Sequence, residues 1–340
     1  MTARLLVYLD HLEGTITSAS WEALGAGKAL AEELQVALEA VVVGDDCMAA
    51  AEAAASLGVG LVRAASHPGL KDFHACAYAD VLAPLAEGAE AVIFPDNGRT
   101  RELAAILAVD LEAGLIPDVI ALSVEEGTIL ARRAIYSGKV HSSVRSSGKK
   151  PILLTLRNRA FPALKEGSSA GKVETLEVAD PDADVEVLGY ERTTAGVSLA
   201  DAAVIVAGGR GVTGNVNLEP PGELSSPEEI EAWKAAAAFA QLQELADALG
   251  AALGATRAVV DAGYIEYAHQ IGQTGKVVTP DLYFAFGISG AIQHLAGIRS
   301  ARTVVAVNKD PEAPIFRSAR FGIIGDMHRV VPALLDALKE

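Results

Sequence analysis

The most restrictive feature of this sequence is a group of short apolar runs within residues 272–326, each followed by glycine or polar residues. The runs cover residues 277–278, 282–286 and 304–307. Short apolar runs with such boundaries are typical of strands buried in a parallel sheet. Open α/β sheets bind ligands at the carboxyl ends of their strands. The small residues at 289–291 would let a phosphate approach backbone N–H groups where a helix begins, so this stretch predicts a nucleotide-cofactor site.

The composition indicates a protein of about two domains with large aliphatic cores. The chain has 340 residues, of which 51% are hydrophobic and only 5% are aromatic. Its net charge of −16 argues against a nucleic-acid partner. Cys47 and Cys76 lack the spacing of a metal or redox motif, so we expect structural thiols in a reducing compartment. With no long apolar run and no signal-peptide pattern, we expect a cytoplasmic protein.

The first half of the chain alternates between apolar strand patterns and helical patterns. Strands are predicted at residues 5–9, 36–43, 60–65 and 91–94, with a helix of about ten or more residues after each. This alternation predicts βαβ units and a mostly parallel sheet with helices on both faces.

Three polar residues follow the fourth predicted strand, namely Asp96, Asn97 and Arg99. They have two interpretations, because side chains at this edge of a sheet either bind a ligand or cap the next helix.

Residues 118–161 contain shorter apolar runs, at 119–123, 129–135, 140–144 and 152–156. With a predicted hairpin turn at 136–139, they predict antiparallel strands that extend the first sheet. The densest basic cluster of the chain lies here and either faces a partner or ligand phosphate, or is the solvated face of a hairpin. Its members are Arg132, Arg133, Lys139, Arg145, Lys149 and Lys150.

Residues 162–200 are rich in Gly, Ser, Asp and Pro and are predicted to connect two domains, which we place at 1–195 and 196–340. After them, a strand at 202–207 ends in the sequence GGRG around Arg210. Such a turn suits an anionic ligand, because glycine permits close approach and the guanidinium is a rigid donor fork. An ordinary tight turn is the alternative.

The rest of the second half predicts a further α/β layer. Ser226, Pro227 and Glu229 predict the start of a helix that runs to about residue 249. Strands are predicted at 256–261 and 321–324, and a terminal helix at 330–338.

Several common catalytic motifs are absent. No GxGxxG follows a strand, the sequence around Lys276 is not a P-loop, and no His or Cys residues have metal spacing. Ser289 and His294 could be read as the nucleophile and base of a hydrolase, but Ala291 replaces the second glycine of that motif. We predict no catalytic residue and no metal site.

Three segments together resemble the signature of the electron transfer flavoprotein alpha subunit. They are residues 270–276 (QIGQTGK), 282–294 (LYFAFGISGAIQH) and 308–316 (NKDPEAPIF). A looser similarity covers nearly the whole chain. The resemblance implies a first domain that is a scaffold and partner interface. It also implies a doubly wound second domain that holds FAD in a cleft against a beta subunit.

The resemblance also implies which residues hold FAD. Arg210 and residues 289–291 would meet the pyrophosphate, with Thr256 nearby. Four residues would line the isoalloxazine ring, namely Arg257, Gln273, Thr274 and His294, and three would hold the adenosine half, namely Gln293, Asn308 and Asp326. The whole implied site is Arg210, Thr256, Arg257, Gln270, Ile271, Gly272, Gln273, Thr274, Ser289, Gly290, Ala291, Ile292, Gln293, His294, Asn308, Asp326 and Met327.

The implied chemistry is one-electron transfer by the flavin. The charge of Arg257 and a hydrogen bond donated by His294 would stabilise negative charge at the pyrimidine end of the ring. A hydrogen bond from Thr274 near the reactive nitrogen of the ring would tune its potential.

The implied function is an electron carrier that works as a heterodimer with the beta subunit. It would accept electrons from flavoprotein dehydrogenases, such as the acyl-CoA dehydrogenases of fatty acid β-oxidation, and pass them to a quinone oxidoreductase or another acceptor. Residues 266–269 (EYAH) depart from the Pro-Asn-Asp type sequence of many members. This departure leaves open a bifurcating branch with a second FAD in the beta subunit. The alternative of another class is a non-redox, nucleotide-binding structural subunit that would bind no flavin.

Overall fold

Each of the two units, Met1–Glu191 and Arg192–Glu340, is built on one large sheet, and the first unit also has a small two-stranded sheet. The computed structural model describes residues 3–136, 138, 140–146, 150–165, 170–181, 185–189, 198–215, 218–222, 224 and 226–339. In the described ranges, no helix is both long enough and apolar enough to cross a lipid bilayer.

The elements of the first unit alternate between strands and helices through its first half. The helices are α1 (Ser18–Leu34), α2 (Met48–Ser56), α3 (Ala75–Ala86) and α4 (Gly98–Asp110). The strands are β1 (Arg4–Tyr8), β2 (His11–Leu12), β3 (Thr15–Ile16), β4 (Ala37–Gly44), β5 (Leu61–Ser66), β6 (Ala91–Pro95), β7 (Gly114–Glu125), β8 (Thr128–Ile135), β9 (Val140–Val144), β10 (Ile152–Leu156) and β11 (Lys172–Leu176).

The main sheet of this unit has, among the described residues, nine strands in the order β11-β5-β4-β1-β6-β10-β7-β8-β9. Its pairs are parallel from β11 to β7, and β7-β8-β9 is antiparallel. Successive side chains of β1 enter different cores, because side chains alternate across a strand. Leu5 and Val7 pack with α1 and α2, whereas Leu6 and Tyr8 pack with α3 and α4. The predicted α/β class, with a mostly parallel sheet and an antiparallel extension, is confirmed.

Two strands of the first unit differ from the prediction. Residues 152–156 were expected to be antiparallel, but β10 lies parallel between β6 and β7. All five of its residues are buried, which suits a central strand that has both faces covered. The run at 173–178, expected in the connection between domains, instead contributes β11, which pairs with the edge strand β5.

The basic hairpin forms as predicted, with Ile135 opposite Val140. Two residues of its predicted turn, Ser137 and Lys139, lie outside the described residues, as does Lys149 of the basic cluster. Lys150 forms an ion pair with Glu90.

An ion pair lies at the carboxyl edge of the first sheet between β1 and β6. Asp10 is buried after β1 and accepts hydrogen bonds from Arg99 Nη2, at 2.8 and 2.9 Å, and from Asn97 Nδ2 at 2.8 Å. Asn97 also caps α4 by accepting from Thr100 N at 3.0 Å. These contacts support the capping interpretation of this edge rather than the ligand interpretation.

The second unit contains a five-stranded parallel sheet in the order β13-β12-β14-β15-β16, as far as its described residues show. Its cores lie on both faces of the sheet, so the predicted doubly wound fold is confirmed. The strands are β12 (Val204–Gly208), β13 (Ala252–Ala255), β14 (Leu282–Phe286), β15 (Thr303–Asn308) and β16 (Phe321–Ile324). The helices are α5 (Pro227–Leu249), α6 (Arg257–Asp261), α7 (Ile292–Ile298) and α8 (Met327–Ala337).

The start of α5 is the one that the sequence predicts. Ser226 Oγ accepts from Glu229 N at 3.1 Å, and Glu229 Oε2 accepts from Ser226 N at 3.2 Å. This reciprocal capping box and the proline that follows Ser226 fix where the helix begins.

Two predicted strands of the second unit are wrong. Residues 256–261 were expected to be a strand, but Thr256 is the N-cap residue of α6 and the strand is β13, just before it. Residues 277–278 form no strand, because Val277 is exposed and Val278 N donates instead to Gly297 O at 2.8 Å.

Candidate functional site

A cleft of about 420 Å³ lies at the carboxyl ends of β12 and β14. The chain passes from β12 to β13 on one side and returns to β14 on the other side, so the connections after β12 and β14 leave on opposite faces. Such a switch point opens a crevice, and this is where doubly wound sheets bind their ligands. The volume falls within the range of about 300–1,000 Å³ that is typical of ligand pockets.

Glycine backbone forms one wall of the cleft. Gly211 N donates to Gly287 O at 3.0 Å, which joins the loop after β12 to the loop after β14. A Cβ atom on Gly209 would lie 2.5 Å from Gly287 O. Gly287 has a φ of +58°, and a Cβ atom there would lie 2.7 Å from Val212 N. Only glycine permits this contact, so the wall presents backbone rather than side chains to a ligand.

Two arginines bring positive charge to the cleft of this acidic chain. Arg210 Nε and Nη2 donate to the two carboxylate oxygens of Glu231 at 3.0 and 3.2 Å. Arg257, at the start of α6, donates from Nε to Asp261 Oδ2 at 2.9 Å. Both arginines line the cleft together with Asp261, and their unused N–H groups suit an anionic ligand.

Thr274, in the loop 270–276, is held by the side chains of Tyr267 and Gln270. Gln270 Nε2 donates to Thr274 Oγ1 at 3.2 Å, and Tyr267 Oη donates to the Thr274 carbonyl at 2.7 Å. Because its oxygen accepts from Gln270, the hydroxyl of Thr274 keeps its own hydrogen for donation into the cleft. The donor role of Thr274 toward a flavin stays a prediction.

His294 is buried at the cleft with both ring nitrogens engaged. Nδ1 lies 3.1 Å from the Ile271 carbonyl and must donate to it, while Nε2 lies 2.9 Å from the Tyr283 hydroxyl and accepts from it. Burial lowers the pKa of His294 to about 4. The ring is therefore neutral at pH 7, and its single N–H donates to the Ile271 carbonyl. This geometry does not provide the donor toward a ligand that was expected of His294.

Eleven of the seventeen predicted residues line the cleft. They are Arg210, Thr256, Arg257, Ile271, Gly272, Gln273, Thr274, Ser289, Ala291, Gln293 and His294. Gln270 and Gly290 shape it without lining it, because the first supports Thr274 and the second packs against Ile315. Ile292 also lies outside the lining and is exposed.

Three predicted residues lie at the carboxyl ends of β15 and β16, outside the cleft. Asn308 Nδ2 donates to Ile288 O at 2.9 Å. Asp326 caps α8 and pairs with Lys309 Nζ at 2.9 Å. Met327 is buried at the start of α8. The structure does not bring these three residues together with the eleven; Asp326 lies instead at a second, open pocket of about 540 Å³.

The sequence interpretation missed six residues that line the cleft. They are Gly209, Gly211, Ala258, Asp261, Gly287 and Ile288. The three glycines and Ile288 belong to the GGRG and GISGA motifs, so the motifs signalled the loops but not how the loops touch. Ala258 and Asp261 line the cleft because residues 257–261 are helical, and the strand prediction hid this.

Comparisons with known proteins agree on one family. Residues 5–181 match the model of the electron transfer flavoprotein domain, and residues 231–299 match that of the electron transfer flavoprotein FAD-binding domain. The chain is 39% identical to the electron transfer flavoprotein subunit alpha of Bacillus subtilis, over 100% of this chain and 98% of the relative. It is 33% identical to the subunit alpha of Thermoanaerobacterium thermosaccharolyticum, with 98% and 97% covered. It is 35% identical to the Protein FixB of Azorhizobium caulinodans, with 98% and 88% covered.

The cleft has the chemistry that FAD requires. Its glycine wall admits a pyrophosphate, its two arginines complement negative charge, and the Thr274 hydroxyl can donate to a ring heteroatom. Most of these residues fall within or beside the segment that matches the FAD-binding model. The chain therefore belongs to the electron transfer flavoprotein alpha-subunit family, and its cofactor is FAD.

Proposed function

We propose that this chain and a beta subunit form a heterodimer that carries electrons between flavoprotein dehydrogenases and an acceptor protein. The donors would include acyl-CoA dehydrogenases of fatty acid β-oxidation, the acceptor a quinone oxidoreductase or similar protein, and the site of action the cytoplasm. We assign the first unit to the scaffold and partner interface. Family membership and the cleft at the switch point of the second sheet support this proposal.

The proposed pyrophosphate subsite consists of the two loops that meet after β12 and β14. Arg210 would donate from its guanidinium, and residues 289–291 would approach through backbone and the Ser289 hydroxyl, with Thr256 beside them. The observation that carries this assignment is the direct backbone contact between the two loops, which leaves Arg210 and Ser289 lining the same cleft.

The proposed ring subsite consists of residues from α6 and the loop 270–276. When bound, FAD supplies the one-electron chemistry, and the protein supplies the environment. Arg257 would stabilise negative charge on the ring by Coulomb attraction. Thr274 would orient the ring by its free hydroxyl hydrogen, and the neutral His294 would close the cleft without adding charge.

The proposed adenosine subsite consists of Gln293, Asn308, Asp326 and Met327. The position of these residues supports the assignment. β15 and β16 follow β14 in the sheet, so their carboxyl ends lie along the same sheet edge as the cleft. No catalytic residue is proposed, since substrate chemistry would belong to the dehydrogenase.

A bifurcating heterodimer, with a second FAD in the beta subunit, is the second candidate. The observation that favours it is the departure at residues 266–269, where Tyr267 contacts the carbonyl of the ring-subsite residue Thr274. A non-redox, nucleotide-binding structural subunit is the candidate of another class.

The absorbance spectrum of the heterodimer, purified with its cognate beta subunit, tests these proposals. We expect a flavin band that corresponds to about one FAD per heterodimer and that bleaches and returns on reduction and reoxidation. About two FADs would favour the bifurcating candidate. A colourless complex that takes up no added FAD would refute the electron-carrier proposal and favour the structural subunit.

A matched pair of variants locates the flavin. Arg210→Gln should lose most of the bound FAD, whereas Arg302→Gln should keep it. Arg302 is an exposed arginine of the same unit that does not line the cleft and that pairs with Asp281 at 3.4 Å. Equal retention by both variants would contradict the placement of FAD at Arg210.

A further inference from the structure

Glu231 forms a bidentate salt bridge with Arg210, and the proposed FAD subsites assign no role to this carboxylate. The two side chains come from different elements, since Arg210 follows β12 and Glu231 lies in the second turn of α5. Each carboxylate oxygen accepts one hydrogen bond, at 3.0 Å from Nε and at 3.2 Å from Nη2. Bidentate pairing of this kind fixes the plane of a guanidinium as well as its position.

The contact leaves one edge of the guanidinium free for a ligand. A guanidinium has five N–H donors, of which Glu231 uses one on Nε and one on Nη2. The Nη1 group and the second hydrogen of Nη2 form another edge that suits two phosphate oxygens. Arg210 lines the cleft, whereas Glu231 does not. The carboxylate therefore holds the guanidinium from outside the lining of the cleft.

Glu231 directly follows a well-defined helix start. The capping box of Ser226 and Glu229 and the proline after Ser226 define the first turn of α5, directly before Glu231. Hydrogen bonding to Arg210 lowers the pKa of Glu231, so the carboxylate is charged at neutral pH. The pKa of Tyr264 is raised, first by burial and then by the charge of Glu231.

Without this support, Arg210 would be a long and mobile side chain. Its side chain is 63% exposed, and ordering such a side chain during binding weakens affinity. We propose that Glu231 is a positioning residue for the cofactor, because it holds one edge of the Arg210 guanidinium and presents the other edge to the pyrophosphate of FAD. This inference rests on the proposed assignment of Arg210 to the pyrophosphate.

Competition between Glu231 and the phosphate for Arg210 would have the opposite effect on FAD affinity, and this difference can be measured. If Glu231 merely occupied Arg210 in place of phosphate, FAD would have to displace it, and removing the carboxylate would tighten binding. Positioning predicts weaker binding when the carboxylate is removed, although its removal also takes away a negative charge.

The dissociation constant of FAD from the deflavinated heterodimer, measured by quenching of flavin fluorescence, tests the inference. Glu231→Gln should bind FAD about 3- to 10-fold more weakly than the unmodified protein. Glu244→Gln is the matched control, because it removes an exposed carboxylate from the same helix and should leave the constant unchanged. An equal or tighter constant for Glu231→Gln would overturn the inference.

A double-mutant cycle distinguishes positioning from a general effect. If Glu231 acts through Arg210, adding Glu231→Gln to Arg210→Gln should weaken FAD binding no further. Independent, additive losses would overturn the inference. The thermal midpoint of Glu231→Gln should stay within a degree or so of the unmodified value, because exposed ion pairs contribute little to stability.

The outcomes also separate this inference from the proposed function. An unmodified heterodimer that binds no FAD would refute the proposed function and, with it, the inference. FAD binding that is insensitive to Arg210→Gln would refute the subsite on which the inference rests. FAD binding that depends on Arg210 but not on Glu231 would refute the inference alone.

Discussion

His294 lies between a buried hydroxyl and a backbone carbonyl, and these two contacts fix which ring nitrogen carries the proton. Protonation of the ring would place a hydrogen on Nε2, which now accepts from Tyr283. Burial lowers the pKa of His294 in the folded protein to about 4, from an unfolded value near 6.5. The unfolded chain therefore takes up a proton on this residue over a pH range in which the folded chain does not.

Acidification should therefore destabilise the protein through His294. Between pH 6.5 and about 4, this residue should reduce the free energy of unfolding by up to about 1.4 kcal/mol per pH unit. His294→Asn should lose less thermal stability between pH 7 and pH 5 than the unmodified heterodimer does. His141→Asn, which changes an exposed histidine of the hairpin, should behave like the unmodified protein. Parallel losses in all three proteins would contradict the prediction.

Residue-scale contacts explain what the motifs could and could not predict about the site. That the GGRG, QIGQTGK and GISGAIQH segments form the cleft was predictable because each segment is continuous in sequence, whereas the lining by Gly209, Gly211, Gly287 and Ile288 depends on how these loops touch. The pairing of Arg210 with Glu231, 21 residues away, was not predictable, because it depends on where α5 begins relative to β12. The partners of His294 were missed for the same reason, since Tyr283 and Ile271 reach it from other elements.

The loop between β14 and α7 depends on glycine at a position that no side chain can occupy. Gly290 has a φ of +88°, and a Cβ atom there would lie 2.7 Å from Ile315 Cα. Gly263 has a similar φ of +73°, but a Cβ atom there would meet nothing within 4 Å. An alanine at Gly263 would therefore introduce backbone strain alone, whereas an alanine at Gly290 would introduce both backbone strain and steric overlap.

Gly290→Ala should cost much more stability than Gly263→Ala. We expect about 1 kcal/mol for Gly263→Ala, from the left-handed backbone alone. For Gly290→Ala we expect about 2–5 kcal/mol, because overpacking adds to the same strain. Urea unfolding measures both, and FAD retention should fall only in Gly290→Ala. Equal costs would show that the loop can move away from Ile315.

At the scale of elements, most strands and helices were predictable and the errors have physical causes. The segment 256–261 contains two adjacent valines, which favour a strand, but Val259 instead packs into the core from the face of α6. The true strand, Ala252–Ala255, is made of Ala, Leu and Gly and carries almost no strand preference of its own. The direction of β10 could not be predicted, because pattern alone does not tell where a strand inserts into a sheet.

The molecule contains two units with separate cores, and we propose that only the second one holds FAD. Binding to the folded state alone stabilises it, by about 2.7 kcal/mol when FAD is present at a hundred times its dissociation constant. Removal of FAD from the heterodimer should therefore reduce the amide-exchange protection of β12–β16 much more than that of β1 and β4–β6. A uniform loss of protection across both sheets would contradict this prediction.

The ion pair between Asp10 and Arg99 bears on where a second flavin of the heterodimer would bind. The pair lies between β1 and β6, where the strand order of the first sheet changes direction. This position corresponds to that of the cleft in the second sheet. Asp10 and Arg99 thus pair with each other at the switch point of the first sheet, and we propose the cleft of the second unit alone as the dinucleotide site among the described residues. If a heterodimer carries two flavins, this proposal places the additional one in the beta subunit.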